Sequence, residues 1–268
     1  FPVFFSISSK VILSAQAAQL SGDEKAAGKF FDAMAERPET KYLGLSGKLK
    51  QAMEDGDQDS ALELAEQASN LKPKTENATA TLLDLQIKKQ DWEKAEETVK
   101  KSIKNKTVDG TTGRRRRALM LFQRSLEEEN DGKLGDALRH AQRANNLAPD
   151  FVPAAIRTAR LLQGAGKRRK AAAVIEEIWV SNPHPHLADV MGELASGAGP
   201  QEKMRTIERL AGYNKDHEES HLAIAKAALA AGMAFYGQFV GDKSDAFWNG
   251  ALYSKSEQHG ETADHLNA

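Results

Sequence analysis

The sequence predicts an all-α protein built from repeated pairs of helices. Good helix formers, mainly Ala, Leu, Glu, Lys, Gln and Arg, dominate the 268 residues, and only 6% of the residues are aromatic. A glycine, two alanines and a proline recur in the same register in 56–73 and 132–149, and most of this pattern returns in 166–183. Because these residue types recur together, a helical repeat is favoured over an ordinary helical bundle with chance alanines.

The spacing of the small residues indicates which repeat this is. Ala61 and Ala95 lie 34 residues apart, as do Ala137 and Ala171, and Ala26 precedes Ala61 by 35. A period of about 34 is typical of the tetratricopeptide repeat, in which a small residue allows two antiparallel helices to cross closely. Glycine lets the turn between the helices adopt positive φ, and proline ends the second helix. We therefore predict a right-handed α-solenoid of about seven to eight tetratricopeptide-like helix pairs.

The glycine turns and the prolines place the units along the chain. The first helix is predicted over 9–21. A spacing of 42 between Ala95 and Ala137 indicates an insertion of about eight residues, which we place in 101–117, before the long helix of the fourth unit. The prediction is a single solenoid over 1–268, with units near 9–38, 40–73, 76–106, 111–149, 151–183, 185–214, 217–245 and, in part, 246–268.

Composition and motifs argue against several classes of function. There is no cysteine, so thiolate chemistry is excluded. The net charge is −1, so the charge balance gives no indication of nucleic-acid binding. The strings ending in Gly-Lys at 46–48 and 164–167 lack the following Ser or Thr of a phosphate-binding loop. No acid, base or nucleophile constellation stands out, so we predict no catalysis, no cofactor and no metal. The apolar start contains Pro2 and Lys10, which argues against a membrane-spanning helix. No positively charged region precedes the apolar residues, which argues against a signal peptide.

The histidines offer weak candidates for ligands. His184 and His186 flank Pro185, but no carboxylate or cysteine stands at ligand spacing, so a polar turn is favoured over a metal site. His140 and His221 lie on predicted helices and could in principle ligate haem. Since there is no Cys-x-x-Cys-His motif, a packed or exposed histidine is the simpler interpretation.

Four consecutive arginines, Arg114, Arg115, Arg116 and Arg117, form the sharpest local signal. Successive residues of a helix point in different directions, so the four cannot all serve one face. The simpler interpretation is a solvated helix start with partners such as Glu127–Glu129 or Glu96 and Glu97. The functional interpretation is docking to an acidic protein surface or to anionic lipid head groups. Nucleic acid is disfavoured because no aromatic residues interleave with the arginines.

The first helix of each unit is expected to form the inner, concave surface of the solenoid. Such a surface, mixing apolar and charged side chains, suits the binding of another protein; the alternative is a groove that is merely solvated or filled by the chain's own end. A clamp for a terminal carboxylate is not supported, because Val11 and Ala15 stand at the matching positions. The candidate partner-binding residues, besides the arginines, are Lys50, Asp84, Lys88, Phe122, Leu126, Ile156 and Arg160.

Several segments resemble the HemY family, tetratricopeptide proteins of proteobacterial inner membranes that are associated with haem biosynthesis. The resemblance covers about residues 11–235 and is carried by FFDAMAERPETKYLGL, LLDLQIKKQDWEKA, GRRRRALML and GKRRKAAAVIEEIW, among others. It implies a membrane hairpin upstream of residue 1, which would anchor a cytoplasm-facing soluble domain to the inner membrane. It also implies a non-catalytic role linked to late porphyrin steps, and it offers no catalytic residues to carry over.

The function expected from these observations is that of a protein-interaction scaffold. The alternative is a porphyrin or haem carrier that uses the concave face. The array is also expected to expose apolar helix faces at its ends, where molecules could associate with one another.

Overall fold

A computed structural model describes residues 2–195 and 199–231 of the chain. Within these ranges it contains thirteen α-helices, one short 3-10 helix and no strand, so the predicted all-α fold is confirmed. The helices are α1 Pro2–Leu20, α2 Glu24–Ala35, α3 Lys41–Glu54, α4 Gln58–Leu71, α5 Glu76–Lys88, α6 Trp92–Lys104, α7 Gly110–Asn130, α8 Leu134–Leu147, α9 Val152–Gly164, α10 Arg168–Ser181, α11 Pro185–Leu194, α12 Pro200–Ala211 and α13 Glu218–Ala230, and the 3-10 helix is Gly212–Asn214. None of the helices in the described residues is long and apolar enough to cross a bilayer.

Three residues join the two helices of each of the first five pairs, from α1–α2 to α9–α10. The middle residue of each turn has positive φ, between 57° and 76°. The amide after it donates to a carbonyl five residues back, which closes the Schellman turn that ends a helix. The residues with positive φ are Gly22, Gly56, Gln90, Gly132 and Gly166, so glutamine replaces glycine in the third turn.

A buried alanine follows each of these turns, at the fifth position after the residue with positive φ. These alanines are no more than 1% exposed, because the two helices of a pair approach most closely there. In the first pair the buried residue is Ala27, whereas Ala26, the residue predicted from the sequence, is only half-buried. The corrected set has a spacing of 34 between its first two members: Ala27, Ala61, Ala95, Ala137 and Ala171.

The first helix begins earlier than predicted, at Pro2 instead of residue 9. Proline is tolerated in the first turn of a helix, where the missing N–H would have no intrahelical partner. The first helices of the next five units, α3, α5, α7, α9 and α11, begin within one residue of the predicted starts of their units. The second helices of the first five units end two or three residues before the predicted ends.

The predicted insertion lengthens a helix and does not form a loop before it. α7 has 21 residues, against 14 in α3 and 13 in α5 and α9, whereas only residues 105–109 separate it from α6. Asp109 caps α7 by accepting hydrogen bonds at 2.9 Å from the amides of Thr111 and Thr112. The arginines are good helix formers, so the cap starts the helix about two turns earlier than in the neighbouring units.

The apolar residues form a series of small cores between successive helices. Leu49 on α3, Ala61 on α4 and Leu82 on α5 share one cluster, and Leu83 on α5 joins Met120 on α7 in the next. Each element therefore buries one side against the preceding helix and another against the following one, as expected for stacked repeats.

The chain divides into two compact units, Phe1–Ala154 and Ala155–Ala268. In the second unit, Trp179 is fully buried and donates a hydrogen bond to Ser220 Oγ at 3.2 Å. A single solenoid over 1–268 stays a prediction. The second helix of the unit at 217–245, the partial unit at 246–268 and their turn glycines, Gly232 and Gly260, lie outside the described residues.

Candidate interaction surfaces

The four arginines of α7 have different environments. Arg117 is half-buried, and its guanidinium donates to Glu96 Oε1 on α6 at 3.0 Å. Arg115 is exposed and pairs with Asp150, which follows α8. Within the ranges that the structure describes, the one polar contact of Arg114 is a long one of 3.4 Å to Thr111 Oγ1 on its own helix. Arg116 is exposed and has no polar partner among the described residues.

This division limits which arginines can bind a partner. Arg117 serves the contact between α6 and α7, in agreement with the simpler interpretation of this residue. Glu127, another of the predicted intramolecular partners, accepts a hydrogen bond from Trp92 Nε1 at 2.6 Å. Arg114 and Arg116 therefore remain as the side chains of the run that carry no ion pair within the part of the chain described.

α7 also presents a mixed apolar and basic face. Arg115, Leu119, Phe122 and Leu126 are spaced by four, three and four residues, so they share one side of the helix. Leu119 is 43% exposed, and Phe122 and Leu126 are half-buried. The ring of Phe122 meets that of Phe151 edge to face, with the centroids 5.5 Å apart, which fixes its orientation.

On the other first helices of the unit 1–154, the predicted residues are exposed charges. Lys50 on α3 lies 3.7 Å from Glu54 of the same helix. Asp84 and Lys88 on α5 make no hydrogen bond or ion pair within the described residues. We call the exposed sides of α3, α5 and α7 the first-helix surface, defined by Lys50, Asp84, Lys88, Arg115, Leu119, Phe122 and Leu126.

The two remaining predicted residues lie on α9, in the unit that begins at Ala155. Ile156 is half-buried. The side chain of Arg160 is 56% exposed and pairs with Glu193 on α11 at 3.0 Å. Arg160 therefore has an intramolecular role that the sequence pattern did not reveal.

A cluster of charges around Glu96 was not predicted as a site. The Glu96 side chain is only 3% exposed, and four cations lie within 4 Å of its carboxylate: Lys100, Arg117, Arg124 and Arg143. The repeat held a signal for this cluster, because Glu96 is charged where the equivalent residues of the other units are uncharged. At the position of Glu96, five residues after the N-cap, the other second helices of the first five pairs carry Gly28, Leu62, Leu138 and Ala172.

The histidines are engaged within the fold. His140 is 3% exposed, and its Nδ1 lies 2.6 Å from Glu128 Oε2 across the α7–α8 contact. His221 is half-buried on α13. His184 caps α11, its Nδ1 accepting from the amide of His186 at 3.2 Å, so this segment begins a helix where the sequence predicted a polar turn. Across residues 2–195 and 199–231, no three His, Asp or Glu side chains are arranged to hold a metal ion.

Comparison with known families and curated proteins returns no match, either to a family model or to a curated sequence. Among solved structures, the chain is similar to YrrB, described as a tetratricopeptide protein with an unusual peptide-binding site, at 15% identity over 72% of this chain and 96% of that one, with a TM-score of 0.38. It is also similar to the tetratricopeptide domain of P58(IPK), at 16% identity over 87% of this chain and 68% of that one, with a TM-score of 0.37.

A third similar structure is a thermophilic tetratricopeptide protein from Thermus thermophilus, at 20% identity over 70% of this chain and 99% of that one, with a TM-score of 0.31. Because all three TM-scores are low, the assignment of the fold rests on the helix pairs themselves. The described part of the chain is thus an all-α protein of tetratricopeptide-like helix pairs.

Proposed function

We propose that this chain is a non-catalytic scaffold that binds segments of other proteins on the first-helix surface. The observation that carries the proposal is the face of α7, where Leu119, Phe122 and Leu126 form a partly exposed apolar strip beside Arg115. Apolar anchors next to a guanidinium suit a protein segment that is apolar on one side and acidic on the other. Arg114 and Arg116, which carry no ion pair within the described residues, flank the basic end of this strip on its two sides.

The resemblance to the HemY family supports a more specific proposal. The family segments FFDAMAERPETKYLGL and GRRRRALML map onto the helices α2–α3 and α7, so the second of them includes the arginines of the proposed surface. On this basis the partners are proteins of late haem or porphyrin biosynthesis at a bacterial inner membrane. The anchor would be the membrane hairpin that the resemblance implies.

The test is recovery of a defined partner by the full chain. The bait carries Arg114→Glu and Arg116→Glu together, and the matched control carries Arg114→Lys and Arg116→Lys. Charge reversal should reduce recovery about ten-fold or more, since two attractive contacts become repulsive, whereas the lysine pair should retain most of it. Arg117 is left unchanged because its loss would disturb Glu96. Equal recovery by both baits would contradict the assignment of the arginines.

A second substitution tests whether the partner binds specifically to the apolar strip or non-specifically to exposed leucines. Leu119→Ser should weaken binding of the same partner, because Leu119 is 43% exposed and its loss costs little packing inside the fold. Leu134→Ser is the control, since Leu134 is 58% exposed but lies at the start of α8, off this face. Equal weakening by both variants would show that exposed leucines bind non-specifically.

The alternative, a porphyrin or haem carrier, is not favoured by the surroundings of His140, one of the two histidines considered for it. His140 is buried and bonded to Glu128. Haem titration should therefore give no Soret shift that depends on His140, and a shift abolished by His140→Ala would revive the carrier hypothesis.

A further inference from the structure

The charge cluster around Glu96 gathers four cations about one carboxylate. Lys100 Nζ lies 3.1 Å from Glu96 Oε1 and the Arg117 guanidinium 3.0 Å from the same oxygen. Arg143 reaches this oxygen only to 3.6 Å, and Arg124 lies 3.9 Å from Oε2. These last two contacts are longer than hydrogen bonds, so they are electrostatic only.

The cluster also has a surplus of positive charge. Arg124 contacts one more carboxylate, that of Glu93, at 3.4 Å. Arg143 has no second acidic partner among the described residues, and none is found there for Lys100. Four cations thus share two carboxylates. Because like charges this close repel one another, a further anion would stabilise the arrangement.

The surplus charge is open to solvent at one place. The side chains of Arg143 and Lys100 are 44% and 43% exposed, whereas Glu96 beneath them is 3% exposed. Lys100 comes from α6 and Arg143 from α8, the second helices of consecutive pairs. An anion above them would meet a planar guanidinium with free N–H donors and an ammonium group, the donors that carboxylates accept best.

We propose that Lys100, Arg124 and Arg143 form a second interaction surface, which binds the carboxylates of an acidic segment of a partner protein. Lys100 and Arg143 lie on second helices, and Arg124 lies on the side of α7 opposite Phe122 and Leu126. This surface is therefore separate from the first-helix surface. Glu96 competes with the partner's carboxylates, because its own carboxylate already binds Arg117 and attracts Arg143. A protein carboxylate is favoured over nucleic acid because the chain as a whole carries a net charge of −1.

The test measures the binding of a fluorescein-labelled hexaglutamate peptide to the full chain by fluorescence anisotropy at about 0.15 M salt, the physiological ionic strength. Arg143→Gln should weaken binding about five-fold or more, the effect expected from the loss of one charge contact. The matched control is Arg139→Gln. Arg139 lies one turn earlier on α8, is 62% exposed and is already paired with Asp136 at 2.9 Å, so its loss should change binding less than about two-fold.

Glu96→Gln provides a readout that a purely structural role would not produce. If Glu96 competes with the ligand, its neutralisation should strengthen peptide binding about three-fold, measured where circular dichroism shows the variant folded. Arg143→Gln keeps the test decisive if Glu96→Gln does not fold. Equal loss in Arg143→Gln and Arg139→Gln, or no peptide binding at all, would overturn the proposal. So would displacement of the peptide by inorganic phosphate at an equal concentration of charge, which would identify a phosphate site.

Discussion

At the scale of single residues, the ionisation of Glu96 shows how neighbours decide the state of a buried carboxyl. Burial alone raises the pKa of this group, because it disfavours the charged form. Hydrogen bonds from Lys100 and Arg117, with the charges of both cations, act in the opposite direction and outweigh the burial. The pKa of Glu96 therefore lies below its ordinary value of 4.5, and the side chain is ionised at neutral pH.

This lowered pKa predicts a stability that depends on pH. A carboxyl that ionises more readily in the folded state stabilises the protein above its ordinary pKa of 4.5, and the contribution is lost as the pH falls through the lower folded value. Glu96→Gln should lower the free energy of unfolding by about 2–3 kcal/mol at pH 7, as expected for charged hydrogen bonds to a buried group. Urea unfolding at pH 7, 5, 4 and 3 should show this difference shrinking towards acid.

Glu97→Gln is the control for this measurement. Glu97 is the next residue on α6, is exposed and makes no ion pair in the described part of the chain. Its substitution should change the free energy of unfolding by less than about 0.5 kcal/mol at every pH. A constant difference between Glu96→Gln and the unsubstituted protein from pH 7 to 3 would disprove the role given to the Glu96 carboxylate.

Residue identities were predictable only where the repeat constrains them. The buried alanines at 61, 95, 137 and 171 follow from the period, because a larger side chain would separate the helices. The first member was placed at Ala26 instead of Ala27, since two adjacent alanines satisfy the pattern and only packing distinguishes them. The partners of the individual arginines could not be derived, because they depend on how neighbouring helices are rotated.

At the scale of elements, the contact between α2 and α3 is closer than the alanine pattern indicates. A Cβ built on Gly44 of α3 would lie 2.5 Å from the backbone nitrogen of Ala35 and 2.7 Å from the carbonyl oxygen of Phe31, both on α2. Real Cβ atoms do not approach backbone atoms so closely, and backbone cannot move aside as a flexible side chain can. The helices of neighbouring pairs thus approach so closely here that residue 44 has no room for a side chain.

This contact predicts that Gly44→Ala destabilises the protein although alanine is the better helix former. The added methyl group must separate α2 from α3, at a cost on the order of 3 kcal/mol in the free energy of unfolding. The measurement is urea or thermal unfolding followed by circular dichroism. Gly135→Ala is the matched control: Gly135 lies on α8 with no atom near the added Cβ, so this variant should gain about 0.5–1 kcal/mol. A stabilised Gly44→Ala protein would show that the two helices are not in contact at this point.

The element order was predictable, and the errors lie at helix ends. Glycine turns and prolines mark where helices stop, which is why α3, α5, α7, α9 and α11 begin within one residue of the predicted starts of their units. The extra residues were placed before the long helix of this unit and not within it, because the cap of α7, Asp109, stands in a segment that also contains Gly110 and Gly113. Glycine normally argues against a helix, but Gly113 is buried, and an added Cβ there would lie 2.4 Å from Ile103 Cγ1 on α6. Tertiary packing therefore overrides local propensity at this position.

At the scale of the whole molecule, the main contact of α1 with another described helix is the one with α2. α1 packs Ala15 and Ala18 against α2, and its other side exposes Leu13 by 63% and Leu20 by 90%. These leucines are seven residues apart, so they lie on one face of the helix. The association expected from the sequence therefore has a definite candidate surface.

Leu13 and Leu20 predict self-association that depends on concentration. Pairing of two α1 helices would remove both leucines of each copy from water, at about 25 cal/mol for each Å² of apolar surface buried. Light scattering over a hundred-fold range of concentration should show a mass rising above the 29.3 kDa of one chain. Leu13→Gln with Leu20→Gln should return the protein to a single-chain mass, whereas Leu134→Gln, at a residue that is 58% exposed on α8, should not. A single-chain mass at all concentrations for the unsubstituted protein would refute the prediction, and association that survives the double substitution would place the contact elsewhere.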